Sequence, residues 1–354
     1  MDRLLEEILE QPQAIRDTVD DLVGTQRAML ERLRTLAQEQ PRQFDVVVLT
    51  GMGSSFYALP IASIALHQAG IPCVVLEASE LLHYQLSVLS ARVLMVVVSQ
   101  SGESVEIVRL VEQVRALRDE LRPLLLSLTS NLDNSLARAA DLPLRIRAGD
   151  ERSIAIKTHT CTQAALHLIA ASLRGAESEE YAEAIRKATW ALEELLSNRE
   201  ERLDPLFTYF KGTAKPFLVG RGWSQVSATA GALALKEGGH VAAEGMSVGA
   251  FRHGTLELAG PGIDILIFAA DPATAGHNLR LAEELAGHGA RVAVSGTEAE
   301  LPSEVFSLRL PAVDPSLAPL LEVPVAQLWS RQLAIAQGRT PGELLRLPKV
   351  IRVE

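Results

Sequence analysis

Residues 99–104 read Ser-Gln-Ser-Gly-Glu-Ser and follow Val-Leu-Met-Val-Val-Val, an apolar run of the kind that makes a buried parallel strand. Three hydroxyls, an amide and a glycine at a strand end can turn the chain or hold an anion. The next residues, ESVEIVRLVEQVRAL, have a helical period, with Ser101 as the expected N-cap. Backbone N–H groups at that helix start, together with Ser99, Gln100, Ser101 and Ser104, would hold a phosphate without any lysine. Ser54 and Ser55, after a Gly-Met-Gly turn, would add donors from a second loop. The plain alternative is an ordinary helix cap with surplus serines.

A second stretch, KEGGHVAAEGMSVGAFRHGTLEL (236–258), ends a helical pattern on Glu237 and carries His253 further along. A carboxylate and an imidazole beside a sugar can divide two acid–base tasks, proton transfer between carbons and ring opening. Taken alone, Glu237 is equally a solvated helix end and His253 a turn histidine. The terminal LLRLPKVIRVE is apolar and basic, which suits a docked tail, so Lys349 either reaches a ligand or snorkels to solvent. The eight histidines lack the paired spacing of a zinc site, so no metal is expected. Cys73 and Cys161 fit neither a C-x-x-C motif nor a disulfide framework and read as core thiols of a reducing compartment.

The elements that would position these residues emerge from a repeat. DVVVLTGMGSS (45–55) is a strand ending in a glycine turn, followed by a helical stretch and a second strand, IPCVVLE. The pattern returns at KPFLVGRGWS (215–224), then a helical stretch, then HVAAE (240–244) as the matching strand. Gly51, Gly53 and Gly70 match Gly220, Gly222 and Gly239 at one constant offset, which argues for duplication. Both halves continue with strand-like runs, VLMVVVS, LRPLLLSLTS and LPLRI in the first, DILIFAA, GARVAVSG and FSLRLP in the second. Ligands of such parallel sheets gather at the carboxyl ends of the strands. There the first half has SQSGES and the second ADPATAG, so only one half keeps the anion site.

A chain of 354 residues suggests two domains, and 47% hydrophobic with 4% aromatic residues suits aliphatic α/β cores. A formal charge of −10 argues against a nucleic-acid surface. The acidic, amphipathic start and the absence of a long apolar run predict no leader and no membrane span, hence a cytoplasmic protein. The expected divisions are an N-terminal helical segment (1–44), a first domain with the phosphate loop (45–175), a linker helix (176–212), a second domain (213–337) and a C-terminal tail (338–354) that closes on the active site.

SQSGES, GRG before a helix ending LKE, FRHG and terminal LPKVIRVE, in that order, resemble the sugar isomerase (SIS) family. In particular they resemble the isomerase half of glutamine:fructose-6-phosphate aminotransferases, and the likeness runs over essentially the whole chain. It implies two tandem SIS domains, each a parallel sheet between helical layers. It further implies that Ser54, Ser55, Ser99, Gln100, Ser101 and Ser104 bind a substrate phosphate. Glu237 would shuttle a proton between C1 and C2, His253 would open the ring from the other subunit of a homodimer, and Lys349 would close on the substrate. No cofactor is implied.

The sequence departs from that family at Ala230 and Ala234, where the aminotransferases carry a glutamate and a lysine. It departs again at I-A-I-K-T (154–158), which places Ala155 and Ile156 in the sugar pocket, Ile156 standing where a serine donor is usual. With no glutaminase half in the sequence, glutamine is not expected to be its ammonia source. The expected activity is that of a phosphosugar isomerase or deaminase acting on an amino-sugar or ketosamine 6-phosphate. The alternatives are a fructosamine-6-phosphate deglycase and a non-catalytic sugar-phosphate regulator. The regulator would need the anion loop but not Glu237, His253 or Lys349.

Overall fold

The computed structural model describes residues 1–39, 43–296, 301–346 and 348–352. The run Val93–Val98 is a strand buried at every position, as an uninterrupted apolar sequence requires when helices cover both faces of a sheet. It is the third strand, β3, of a parallel sheet with β1 (Val46–Gly51), β2 (Cys73–Glu77), β4 (Leu124–Thr129) and β5 (Leu142–Arg145), ordered β2-β1-β3-β4-β5. One face is sealed by an aliphatic cluster that includes Val48, Met95, Val97, Ile107 and Leu110, the last two from the helix Val105–Ala116. The helix Lys157–Leu173, buried along its whole length, packs against the helices Pro60–Gln68 and Arg27–Gln38.

The second sheet contains β6 (Pro216–Gly220), β7 (Glu244–Ser247), β8 (Asp264–Phe268), β9 (Arg291–Ser295) and β10 (Val305–Leu308), again all parallel. Its order, β7-β6-β8-β9-β10, is that of the first sheet. Phe217, Phe251, Ile265, Ile267 and Leu281 form the core on one side. The helices Ser224–Glu237 and Pro319–Ala336 pack together, and Gly231 permits the approach: a Cβ there would lie 2.7 Å from Leu218 Cδ2 and 2.8 Å from Ala326 Cβ.

The glycine repeat has a conformational basis. Gly51 and Gly220 end β1 and β6, and Gly53 and Gly222 both adopt left-handed backbone, with φ of +52° and +53°. The third pair diverges. Gly70 is left-handed (φ +69°), but in the second half His240, one residue after Gly239, takes that conformation with φ +51°. Consequently the strand expected at 240–244 starts only at Glu244, which pairs with Phe217.

The chain packs as two compact units, each holding one sheet. One comprises Gln13–Glu151, Lys157–Arg186 and Leu345–Glu354; the other comprises Met1–Pro12, Arg152–Ile156 and Lys187–Leu344. Pro12 interrupts the N-terminal helical segment as expected, standing in the first turn of the helix Gln11–Val23, where its missing N–H costs nothing. The region 176–210 is helical over Ser178–Ser197 and Arg199–Tyr209. Among the described residues no helix is long and apolar enough to cross a membrane.

Candidate active site

β1 and β3 are hydrogen-bonded neighbours with Gly51 opposite Val98, and β2 and β3 leave β1 on opposite sides. The loops after β1 and β3 therefore emerge together at the point where strand order reverses, the usual ligand crevice of an open parallel sheet. Those loops carry Ser54 and Ser55, and Ser99, Gln100, Ser101 and Ser104.

The SQSGES turn is held by its own polar groups. Ser99 N–H donates to the Leu128 carbonyl (3.1 Å), and the Gln100 carbonyl accepts from Ser130 N–H (3.0 Å). Ser99 Oγ accepts from Gly102 N–H (3.2 Å) and Ser101 Oγ from Glu103 N–H (3.1 Å). With the oxygens used as acceptors, the hydroxyl hydrogens are what remains to donate to a ligand. Glu103, the turn's one carboxylate, reaches sideways to Ser135, accepting from its N–H at 2.6 Å and its Oγ at 3.0 Å.

The helix cap differs from expectation. Ser104, not Ser101, occupies the N-cap of Val105–Ala116. Gly102 takes a left-handed φ of +66° and Glu103 reaches sideways to Ser135, which prolongs the turn before the helix can start. Ser104 makes no side-chain capping bond, which leaves its hydroxyl for a ligand at the positive end of the helix.

Ser54 is set by a residue that sequence reading did not single out. His159 Nδ1 lies 2.9 Å from Ser54 Oγ and 3.1 Å from the Ser54 carbonyl oxygen, and its Nε2 lies 2.8 Å from the amide nitrogen of Gln163. An amide nitrogen only donates, so Nε2 is the acceptor and Nδ1 carries the proton. Burial depresses the imidazole to about pKa 4, against the smaller opposing effect of the Ser54 carbonyl. The ring is neutral near pH 7 and orients Ser54 without adding charge.

Lys349 belongs to the same unit as these loops. Its Nζ donates to Glu151 Oε2 at 3.3 Å, and Glu151, 7% exposed, also accepts from the N–H and hydroxyl of Thr158 at 3.0 and 2.7 Å. Two residues on, the Ile351 carbonyl accepts from Val105 N–H at 3.1 Å, the first residue of the helix that SQSGES leads into. The tail is thereby tied to the helix that follows the SQSGES turn. Leu347, Val353 and Glu354 of the terminal motif lie outside the described residues.

Glu237 and His253 belong to the other unit. Glu237, half-buried, is the last residue of Ser224–Glu237. A Cβ on Gly238 would lie 2.9 Å from Ser330 Oγ and 3.1 Å from Ile154 Cδ1, so the turn after Glu237 is fixed by close packing on both sides. Ala230 and Ala234, earlier on this helix, are buried. His253 caps the C-terminus of Val248–Arg252, with its N–H on the Ala250 carbonyl (3.2 Å) and its side chain exposed; Gly254 follows with φ +146°. Arg252 is engaged with Glu284 at 2.6 Å. Ala155 is half-buried, whereas Ile156 has no exposed surface and sits in the core. Among the described residues no cluster of histidine, cysteine and carboxylate side chains could hold a metal ion.

A repeated five-stranded parallel sheet with a serine-rich loop at its switch point is the frame of the candidate site. Residues 43–172 match the SIS domain. The chain is 30% identical over 359 residues to glutamine–fructose-6-phosphate aminotransferase (isomerizing) of Pyrococcus horikoshii, a match covering 99% of this chain and 58% of the relative. The chain thus spans under two thirds of the length of that relative. Its fold matches the C-terminal domain of the Francisella tularensis glucosamine-fructose-6-phosphate aminotransferase, with TM-score 0.85 and 22% identity over 97% of this chain and 98% of the other. It also matches glucosamine-6-phosphate deaminase of Thermotoga maritima, with TM-score 0.72 and 19% identity over 99% and 100%.

Proposed function

We propose that this chain is a phosphosugar aldose–ketose isomerase or deaminase acting on an amino-sugar or ketosamine 6-phosphate. The observation that carries the reading is the hydroxyl-lined turn at the β1/β3 switch point, whose carboxylate is hydrogen-bonded to Ser135 and whose following helix is joined to the tail bearing Lys349. Ser54, Ser55, Ser99, Gln100, Ser101 and Ser104 hold the phosphate. Binding energy from that remote group positions the reacting carbons. His253 opens the ring, Glu237 moves the proton between C1 and C2 through an enediol or enolamine, and Lys349 balances the charge that develops. The outward side chain of His253 suits delivery to a second copy of the chain, in a homodimer.

Ala230 and Ala234 support isomerisation or amine release over amino transfer, since neither can hold or relay nitrogen. The test is to incubate the protein with a panel of amino-sugar and ketosamine 6-phosphates and measure released amine and the aldose–ketose ratio. Turnover of at least one member is expected. Tight binding of phosphosugars with no turnover of any would replace the enzyme by a sensor.

A further inference from the structure

Glu7, in the first helix, Arg3–Leu9, is a carboxylate with no exposed surface. An acid so placed needs donors around it, and two of its partners come from far along the chain. Its Oε1 accepts from Arg152 N–H at 2.7 Å and from Arg3 Nε at 2.9 Å. Its Oε2 accepts from Ser153 N–H at 3.2 Å and from the Ser153 hydroxyl. Burial opposes ionisation of this group, but the Arg152, Ser153 and Arg3 donors outweigh it and hold the carboxyl below the usual range. It is therefore charged near pH 7 and a strong acceptor.

The helix that carries Glu7 is itself fixed. Leu4 and Ile8 are fully buried, and Asp2 caps its start, accepting from Leu5 N–H at 3.1 Å. Asp2 also pairs with Arg331 at 2.7 Å, and Gln11 Nε2 donates to Gln327 Oε1 at 2.9 Å. Arg331 and Gln327 lie on Pro319–Ala336, which packs on the helix ending in Glu237. The segment Arg152–Ile156, by contrast, is neither helix nor strand, so two successive N–H groups that no ladder satisfies are satisfied by Glu7. Gly342 shows how closely the segment is enclosed: a Cβ there would lie 2.8 Å from Ser153 Cβ and 3.2 Å from Leu4 Cβ. The next residue, Ile154, is buried, and its Cδ1 closes one side of the turn after Glu237. Glu7, Arg152–Ile156 and Glu237 all belong to one unit.

We infer that Glu7 is a positioning residue for Glu237: it pins Arg152 and Ser153 so that Ile154 stays against Gly238 and the helix end keeps the Glu237 carboxylate in place. The inference rests on the role proposed for Glu237 and goes one step beyond it. Glu7 itself touches neither substrate nor reacting atoms. Without the pin, Ile154 is free to withdraw, the turn at Gly238 loses one of its two walls, and the last turn of Ser224–Glu237 frays, as helix ends do when their packing is lost.

The test combines amide hydrogen exchange with kinetics on two variants of the full chain. Glu7→Gln keeps the shape but turns an amide group toward the donors it should accept from. Ile154→Val keeps every bond to Glu7 and removes only the Cδ1 methyl. In both, the Gly238 and Gly239 amides, which donate to the Ala234 and Leu235 carbonyls at 2.8 and 3.1 Å, should exchange at least about tenfold faster. The Ser99 and Ser130 amides, in the other unit, should keep their parental rates. For a phosphosugar that the parent turns over, kcat should fall by about 10–10²-fold, the scale of a displaced catalytic group, with affinity within about twofold of the parent's. Unchanged exchange at Gly238 would overturn the inference. So would an equal rise at Ser99 and Ser130, which marks general loosening, or a raised KM at unchanged kcat. Should Glu7→Gln not fold, Ile154→Val decides alone. A parent that turns over no phosphosugar overturns the proposed reaction instead, and the exchange rates then judge by themselves whether Glu7 holds the Glu237 turn.

Discussion

Lys349 and Glu151 are 198 residues apart in sequence and 3.3 Å apart in space. The carboxylate is buried and held by Thr158, so it is the fixed partner, and the tail is what it holds. Removing one partner of a buried pair removes the placement of the other. Glu151→Gln should lower kcat/KM by about 10²-fold through misplaced Lys349, the scale of a small misalignment at a reacting centre. Hydrogen exchange at the Val105 amide, which donates to Ile351, should speed up in the same variant. Unaltered exchange there would show that Glu151 does not hold the tail.

Glu237→Gln preserves shape at a packed helix end while removing the proposed base. Turnover should fall by about 10³-fold or more, in the range of a lost general base, with phosphosugar affinity within a few-fold of the parent. Steady-state kinetics and direct binding together separate the two effects, and retained turnover would remove Glu237 from the mechanism.

Gly102 is a conformational requirement of the proposed anion loop. Its φ is +66°, and a Cβ would lie 2.0 Å from Asn134 Oδ1, the atom that caps the helix Ser135–Ala139. Gly102→Ala should cost about 1–3 kcal/mol from the backbone alone, more with the clash, and should weaken phosphosugar binding. Denaturant titration and competition by inorganic phosphate report the two losses; an unperturbed loop would show in unchanged values of both.

The unit holding the first sheet should be sensitive to acid in two stages. His159 titrates at about 4 when folded against 6.5 when free, because it is buried. Between those values the unfolded chain binds the proton and the folded one does not, so this group's stabilising effect is intact above 6.5 and falls as pH drops to about 4. Asp21 is opposed by burial, but Arg145 and Arg147 outweigh it and bring its carboxyl down to about 2 from 3.8. Its contribution is whole above 3.8 and disappears as pH falls through 2. Denaturation midpoints measured across this range should show a flatter upper stage in His159→Gln and a flatter lower stage in Asp21→Asn. Parallel curves for parent and variants would refute the assignment.

Much of this was written locally. Val93–Val98 declares a buried strand, and the glycines at 51 and 53 and at 220 and 222 declare two related turns, because backbone geometry is enforced residue by residue. The candidate anion loop was legible for the same reason. The cap at Ser104 was not, since it depends on Glu103 meeting Ser135 and on Gly102 meeting Asn134 across space. His159 against Ser54, Glu151 against Lys349 and Glu7 against Ser153 were equally hidden. A lone buried polar residue announces nothing until the fold supplies its neighbour, and no spacing rule joins residues that far apart.

The interleaving of the two units has a consequence for synthesis. Each takes segments from three separate stretches, and the last described stretch of one, Leu345–Glu354, follows the last of the other. The unit holding the first sheet cannot acquire its full set of contacts until its last segment, Leu345–Glu354, has emerged, long after Gln13–Glu151. For the same reason no single cut yields a self-sufficient half: a fragment ending at any one peptide bond leaves part of one unit with the other piece.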